Sequence, residues 1–403
     1  MQLRDKLKRT LLIGVFSIII GGIVGTLDAV FGRVLLGITD IRDAHPYYFI
    51  PFLAFAGIVI VFLYDRYGGK SSQGMGLLFS VGHDKEDKIP LRLVPFVTIG
   101  TWLTHLFGGS AGREGVAVQI GGTISYEIGR KLPIKNASKT FLLIGMAAGF
   151  GGLFRTPIAA TFFAIEVLTI GVVEYAVIFP AFLAAYVSSV VSGKLGLEKF
   201  VYSITYSASF GTEIVIKLIL LGVAFGITGY VFAKGLQWGK KEIAKRLPNK
   251  YVRIATMGVL LSVMLLGLYM GRYAGLGTNL IHASFHGENI YCYDWFLKLL
   301  FTLLTLVAGF QGGEVTPLFS IGASLGVILS GLVGMPIEFV AALGYAAVFG
   351  SATNTMLAPI FIGGEVFGFA NMPYFVIVCM VAFSINKNTS IYAGQKKYEG
   401  NQV

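Results

Sequence analysis

The chain has 403 residues, of which 55 % are hydrophobic and 13 % are charged, and its mean hydropathy is +0.74. A soluble domain carries about 25 % charged residues, so this composition excludes an ordinary soluble protein. The formal net charge of +11 does not indicate nucleic-acid binding, because the basic residues lie in short segments beside long apolar runs.

Apolar runs recur along the chain and predict membrane-spanning helices. A helix needs about 20 apolar residues to cross a bilayer, and runs near this length cover residues 11–31, 49–64 and 215–233. The runs at 95–109 and 339–350 are too short to span and contain glycine, which permits helix breaks where they line a protected cavity. We therefore predict an all-α polytopic membrane protein with spanning and broken helices.

Charge predicts the orientation of these helices. Cytoplasmic segments of membrane proteins carry an excess of lysine and arginine. We therefore expect both termini and a loop near residues 235–253 on the cytoplasmic side. The stretch 275–294 contains little positive charge and is expected on the outer side.

No metal-binding or nucleotide-binding motif in the chain supports a membrane enzyme. The zinc pattern H-E-x-x-H and the P-loop are both absent, and the five histidines are scattered without ligand spacing. The two cysteines, Cys292 and Cys379, are far apart and lack metal-ligand spacing. We predict no catalytic activity, no metal and no cofactor.

The two parts of the chain resemble each other, which predicts an internal repeat of the kind found in transporters. Glu114 and Glu314 lie in similar glycine-rich stretches, 200 residues apart. Residues 150–167 and 349–366 both open with Phe-Gly and close with Glu-Val, at an offset of 199. We predict two membrane repeats, 1–205 and 206–403, with no cytoplasmic regulatory domain.

Three glycine-rich segments, at 71–78, 112–119 and 312–317, each precede a run that can form a helix. A helix N-terminus offers unpaired N–H groups and a partial positive charge, so it is a ready anion site. Pro317 supports a helix start, because proline is tolerated in the first turn. Several such N-termini that meet at one place would bind an anion without a full positive charge. A lysine at that place would bind the anion too tightly for release.

Glu114 lies between glycines where one of these helices is predicted to begin. An ionised carboxylate there would be stabilised by the N–H groups that bind an anion, and it would occupy the anion's place until protonated. Intramembrane ionisable residues are candidates for function. The residues alone leave two interpretations open, a gate in an anion pathway or a structural cap in the first helical turn.

These motifs resemble those of the CLC family of chloride channels and transporters. Residues 112–122, GREGVAVQIGG, resemble the family's G-K/R-E-G-P signature, and 312–326, GGEVTPLFSIGASLG, resemble its third anion-binding motif. The segments that end in Glu166 and Glu365 resemble the family's intervening segments. The resemblance covers most of the chain and implies the CLC fold, with two repeats of inverted topology.

Departures from the family pattern favour one branch. Met75 stands where the family's first motif has serine, Val116 replaces proline and Val315 replaces phenylalanine. This combination resembles the fluoride/proton antiporters of the family. That branch implies fluoride export and fluoride resistance in a bacterium, a plasma-membrane location, and a homodimer with one ion pathway in each subunit. The alternative is a chloride/proton exchanger or passive anion channel of the same family.

The resemblance also indicates how protons would be coupled. Chloride/proton exchangers of the family have a second, inward-facing glutamate just after the position of Glu166, where this chain has Val167. The fluoride branch also lacks it, so coupling is expected to rest on Glu114 as the gating and proton-carrying residue. For Glu166 and Glu365 we expect a structural role, in which each satisfies local donors.

The resemblance assigns further candidate site residues. Tyr392 matches the family's anion-coordinating tyrosine. Thr316 is expected to hydrogen-bond the gating carboxylate, or else to cap its helix. Glu314 either receives protons or anions or caps a helix, and Arg113 is either part of a structural ion pair or a vestibule charge. Met75 either contributes to fluoride selectivity or only fills space.

The aromatic residues and the expected partners complete these expectations. An aromatic edge is partly positive, so one of the 32 phenylalanines would offer its edge to fluoride, without any one of them being singled out. The expected partners are fluoride, protons, the bilayer and a second copy of the chain. The candidate substrate-binding residues are Gly74, Met75, Gly76, Gly112, Arg113, Gly115, Val116, Glu314, Val315, Thr316 and Tyr392.

Overall fold

The computed structural model describes residues 2–134, 136–204, 206, 211–386 and 388–397, with side chains from residue 8 onward. The α-helices of this part of the chain, joined by loops and short 3₁₀ or π turns, are α1 Gln2–Ala44, α2 Pro46–Phe49, α3 Leu53–Leu63, α4 Met75–Gly82, α5 Leu93–Leu106, α6 Glu114–Arg130, α7 Ala137–Phe154, α8 Pro157–Glu166, α9 Ile178–Lys194, α10 Thr212–Arg246, α11 Lys250–Gly267, α12 Thr278–His286, α13 Asp294–Ala308, α14 Val315–Val333, α15 Ile337–Thr353, α16 Leu357–Phe367 and α17 Met372–Asn386.

The helix lengths confirm the all-α membrane prediction. Among the described residues, eight helical stretches are long and apolar enough to cross a membrane. The two short apolar runs lie in α5 and α15, which have 14 and 17 residues. With α8 and α16 they form a set of shorter apolar helices. Helix ends at membrane depth are tolerated where neighbouring parts of the protein satisfy their backbone groups.

The basic segment 235–253 is mostly helical, so the prediction of a loop there is wrong. α10 continues to Arg246 and α11 begins at Lys250. Positive charge indicates the side of the membrane, but it does not end a helix, since lysine, glutamate and alanine are good helix formers. The helix ends just before Pro248, because the residue preceding a proline is disfavoured in helical geometry, and Asn249 then caps α11 with its side chain.

Paired glycines allow two helix pairs to cross in backbone contact. In α6 and α7, a Cβ at Gly121 would collide with the carbonyl of Gly145, and in α14 and α15 a Cβ at Gly322 would collide with the carbonyl of Gly344. Small residues at such crossings let membrane helices approach closely. The two crossings are separated along the chain by nearly the offset of the sequence repeat, so both parts use the same packing.

Equivalent residues of the similar segments 150–167 and 349–366 meet in space. Phe162 of α8 stacks on Phe361 of α16, with ring centroids 4.3 Å apart and an interplanar angle of 3°. Contact between equivalent positions is what a two-fold axis between two repeats produces. The predicted repeat boundary at 205/206 adjoins residue 205 and residues 207–210, which lie outside the described residues, so this division stays a prediction.

Two carboxylates cap helices of the opposite segment. Glu166, at the end of α8, accepts hydrogen bonds of 2.8–3.0 Å from the N–H groups of residues 356–358 at the start of α16. Glu365 in α16 accepts bonds of 3.2 and 2.8 Å from the N–H groups of residues 158–159 at the start of α8. Each carboxylate satisfies orphan donors of a helix start, but those donors are far away in sequence, not local as we expected.

Candidate anion-binding site

Two glycine-rich loops bring the starts of α6 and α14 together. The N–H of Gly112 donates to the carbonyl of Gly313 at 2.5 Å, and the N–H of Gly313 donates to the carbonyl of Gly112 at 2.7 Å. The pair forms an isolated antiparallel bridge. Because a helix follows immediately on both sides, two helix N-termini with unpaired N–H groups face one region of the molecule.

The Glu114 carboxylate occupies that region. Its side chain is completely buried. Oε2 accepts hydrogen bonds from the N–H of Arg113 at 3.1 Å and from the N–H of Thr316 at 2.9 Å, and the Thr316 hydroxyl donates to Oε1. The carboxylate is therefore held by the start of α14 as well as by its own helix, in the surroundings expected of a bound anion.

Arg113 supplies a guanidinium beside this carboxylate without forming a fork with it. Its Nε lies 3.8 Å from Oε1 of Glu114, too long for the bidentate bonds of a structural arginine–carboxylate pair. Nε and Nη1 are buried and have no hydrogen-bond partner in the described part of the chain. This geometry favours the interpretation of Arg113 as a vestibule charge over its interpretation as part of a structural ion pair.

A cavity of about 310 Å³ reaches the same glycine loops from another side. The candidate residues that line it are Gly74, Met75, Gly76, Gly115, Glu314 and Tyr392. Glu114 is not part of this lining. The structure thus divides the candidate set into a cavity group and a carboxylate group, the latter comprising Gly112, Arg113, Glu114 and Thr316.

The structure places three further candidates, Val116, Val315 and Glu314, differently with respect to the cavity. Val116 and Val315 are buried in the apolar core and do not line the cavity. Neither side chain is placed to contact an ion in the cavity, and the two backbones belong to the first turns of α6 and α14. Glu314 occupies the N-cap position of α14 but makes no side-chain cap hydrogen bond. It lines the cavity instead, so the cap interpretation of Glu314 has no support.

Sequence reasoning did not assign several residues of the cavity lining, among them Phe79, Gln119 and Lys240. Two phenylalanines, Phe79 and Phe310, line the cavity, and Phe79 stacks on Tyr392 with ring centroids 5.3 Å apart. Gln119 was signalled by its polarity within an apolar helix. Its Nε2 donates to the Gly115 carbonyl at 2.9 Å. Lys240 carried no signal, because it lies among many basic residues of α10.

Sequence reasoning overlooked a match to the G-x-S-x-G pattern of serine hydrolases, Gly-Gly-Ser-Ala-Gly at 108–112, in the loop before Glu114. Ser110 does not have the contacts of a nucleophile. Its hydroxyl is buried against Thr302 at 2.9 Å and accepts from Nζ of Lys298 at 2.9 Å. Both ring nitrogens of the neighbouring His105 face backbone carbonyls, so this histidine does not serve the serine as a base. Nζ of Lys298 donates to the carbonyls of Tyr273 and Gly275 as well as to Ser110, which is the arrangement of a structural ammonium.

Comparison with known proteins covers nearly the whole chain. The family model described as "Voltage gated chloride channel" matches residues 56–387. A "Chloride/fluoride channel protein" of Pseudomonas syringae pv. tomato is 34 % identical over 381 residues, which cover 93 % of this chain and 84 % of that protein.

Solved structures share the fold. A crystal structure of a CLC-type fluoride/proton antiporter has a TM-score of 0.95 and 53 % identity, covering 96 % of this chain and 98 % of that one. A slow cyanobacterial chloride/proton antiporter is only 19 % identical but has a TM-score of 0.79 over 93 % and 94 % of the two chains, which shows the common fold. The chain is a multi-pass membrane transport protein, not an enzyme, and it belongs to the voltage-gated chloride channel family, the CLC proteins.

Proposed function

We propose that this CLC protein is a fluoride/proton antiporter, which exports fluoride across the bacterial plasma membrane as a homodimer with one ion pathway in each subunit. The observation that carries the proposal is the buried Glu114 carboxylate, bound by donors at the start of α14. The 53 % identical fluoride/proton antiporter and the chloride/fluoride relative support fluoride as the ion. Similarity of that extent over both chains makes a shared transport chemistry the best-supported function.

Glu114 couples the two ions because its charge state decides what the surrounding donors bind. An ionised carboxylate only accepts hydrogen bonds, so it satisfies the Thr316 N–H, the Thr316 hydroxyl and the Arg113 N–H together. A protonated carboxyl loses the charge that these donors stabilise and leaves them for an anion. Fluoride then enters as the carboxyl departs with its proton.

The cavity supplies the anion from the other side of the glycine loops. Gly115 and Glu314 line it close to the starts of α6 and α14, and Tyr392 lines the wall next to Phe79. Tyr392 and the edge of Phe79 contribute the polar contacts for fluoride, because a phenol donates a hydrogen bond and a ring edge is partly positive. Met75 adds bulk but no hydroxyl to the same wall.

Proton movement needs no second glutamate at the family's inner position. Val167 stands there and is buried, and the preceding Glu166 is committed to three backbone N–H groups of α16. Glu314 is the remaining carboxyl in the cavity. We assign Glu314 two roles on the cavity side: it exchanges protons, and its charge state decides whether an anion is repelled or admitted. Glu114 is the group that carries the proton across.

Flux from liposomes that contain the purified protein tests this function. The liposomes are loaded with fluoride or chloride, and a pH probe reports proton movement. A fluoride gradient is expected to drive protons uphill, a chloride gradient is expected to drive none, and Glu114→Gln is expected to abolish the coupled movement because an amide cannot carry a proton.

The same measurement decides the alternative function. Equal chloride flux without proton movement would make the protein a passive anion channel, and chloride-driven proton movement would make it a chloride/proton exchanger. Analytical ultracentrifugation or single-molecule photobleaching of the reconstituted protein tests the homodimer separately, with two subunits per particle as the expected result.

A further inference from the structure

The cavity contains one basic and one acidic side chain among its described lining residues, Lys240 and Glu314. Glu314 is partly buried at the N-cap of α14, and its ionised carboxylate would repel an approaching anion. Lys240 lies in the last turns of α10, on an exposed part of the helix. The cavity is therefore electrostatically polarised, with its positive group toward solvent.

Lys240 lies at a membrane surface. It is 28 residues beyond the start of α10 at Thr212, which is about 42 Å along a helix. The hydrocarbon core of a bilayer is about 30 Å thick, which is less than this length. If α10 starts near one membrane surface, Lys240 therefore lies beyond the hydrocarbon core, at the opposite surface. The lysine-rich end of α10 marks this surface as cytoplasmic.

Lys240 forms no ion pair within the described part of the chain. Among the described residues no Asp or Glu oxygen lies within ion-pair distance of its ammonium, whereas the nearby Glu242 is paired with Arg246 at 2.7 Å. Lys234, six residues earlier in α10, donates to the hydroxyl of Tyr230 at 2.8 Å. The charge of Lys240 is thus left to act on whatever enters the cavity.

We infer that Lys240 is an anion-capture residue, which concentrates fluoride at the cytoplasmic mouth of the cavity and offsets the repulsion by Glu314. The inference rests on the proposed function. Clefts with one sign of charge raise the local concentration and the association rate of oppositely charged ligands, in a manner that falls with ionic strength. A charge exposed to water attracts an ion only weakly, so Lys240 recruits fluoride without retaining it, and its removal acts on KM, not on kcat.

Charge replacement at this one position tests the inference. In a Cys292→Ser background, which removes the exposed native thiol, Lys240→Cys is compared with Lys241→Cys, an exposed neighbour that does not line the cavity. Inside-out bacterial membrane vesicles present the cytoplasmic face to the outer solution, and a fluoride electrode measures initial uptake against fluoride concentration. Methanethiosulfonate reagents then attach an ammonium or a sulfonate to the new thiol.

Lys240→Cys is expected to raise KM about fivefold at low ionic strength, with kcat unchanged. The ammonium reagent should restore KM, the sulfonate reagent should raise it further, and all three effects should shrink at 0.5 M inert salt. Lys241→Cys should change KM little under any condition. An unchanged KM in Lys240→Cys, an equal effect at Lys241, or identical responses to the two reagents would overturn the inference.

Failure of the proposed function is visible separately in unmodified vesicles. If these take up chloride instead of fluoride, or move the anion without protons, the antiporter assignment fails. The charge series at Lys240 is then measured with the anion that is transported, and the capture role is accepted or rejected on that result alone.

Discussion

Thr316, at the start of α14, binds the Glu114 carboxylate of α6 through two donors, its backbone N–H at 2.9 Å and its side-chain hydroxyl. The two residues are 202 positions apart in the chain. The charged form of this carboxylate, the proposed gate, is thus stabilised by the opposite part of the molecule. The release of Glu114 consequently depends on the contact between the two glycine loops.

Thr316→Val removes the hydroxyl but keeps the N–H and the shape of the side chain. A hydrogen bond to a charged group contributes about 1.5 kcal/mol or more, and its loss weakens the binding of the Glu114 carboxylate by α14. The carboxylate then leaves these donors more easily, so fluoride efflux from liposomes at a fixed pH is expected to shift severalfold toward a faster rate. The matched control is Thr123→Val, since the buried hydroxyl of Thr123 in α6 has no partner among the described residues. Equal shifts in both variants would refute the role of Thr316.

Met75→Ser places a hydroxyl in the cavity wall where the family's first motif carries serine. A hydroxyl donates to any anion that passes, so the variant is expected to raise chloride flux relative to fluoride flux severalfold. The test is the ratio of initial efflux rates of the two ions from matched liposomes. Met75→Leu retains an apolar side chain of similar size and should keep the original ratio. A change of ratio in Met75→Leu would indicate packing, not hydrogen bonding, as the role of this residue.

Removing one of the reciprocal caps should destabilise the fold without changing the chemistry of transport. Glu365→Gln keeps the shape but removes the charge that accepts from the N–H groups of residues 158–159, and a hydrogen bond to a charged group contributes about 1.5–3 kcal/mol. We expect a lower thermal unfolding midpoint in detergent and an unchanged proton-to-fluoride ratio in the protein that folds. Glu166→Gln should behave alike. An altered ratio would mean that these carboxyls take part in proton transfer.

Gly121→Ala tests the backbone crossing of α6 and α7. The added Cβ collides with the Gly145 carbonyl, and overpacking of this kind costs about 1–3 kcal/mol. A lower unfolding midpoint and a lower yield of folded protein are expected. Gly37→Ala in α1 is the control, because a Cβ there meets nothing within 4 Å and alanine favours helix more than glycine does. Comparable losses in both variants would contradict the proposed close packing.

Sequence similarity predicted the repeat, and with it which residues are equivalent in the two parts of the chain. The Glu-Val endings of the segments 150–167 and 349–366 identified Glu166 and Glu365 as a pair. Similarity alone does not tell whether equivalent residues are neighbours, so their reciprocal hydrogen bonds across the molecule were not predictable. The same holds for Glu114, whose place at a helix start was predicted but whose binding by α14 follows only from how the loops meet.

The cavity was only partly predictable, for a different reason. Met75 and Gly115 were predicted because they lie in glycine-rich motifs, and glycine enrichment at a helix start is visible in the sequence. Phe79, Gln119 and Lys240 belong to regular helices, and the face on which a helical residue reaches the cavity depends on tertiary packing. The end of α10 was misread as a loop because its charge was informative about sidedness but not about conformation.

The reciprocal capping by Glu166 and Glu365 also bears on how such a chain arose. A half-length ancestor would have one acid without a helix to cap and one helix without an acid. A second copy inserted with inverted topology would supply a helix for this acid and an acid for this helix, so that the two copies would form a dual-topology dimer. Gene duplication and fusion would then have fixed the two orientations in one polypeptide, and the paired acids would remain as the trace of an antiparallel dimer.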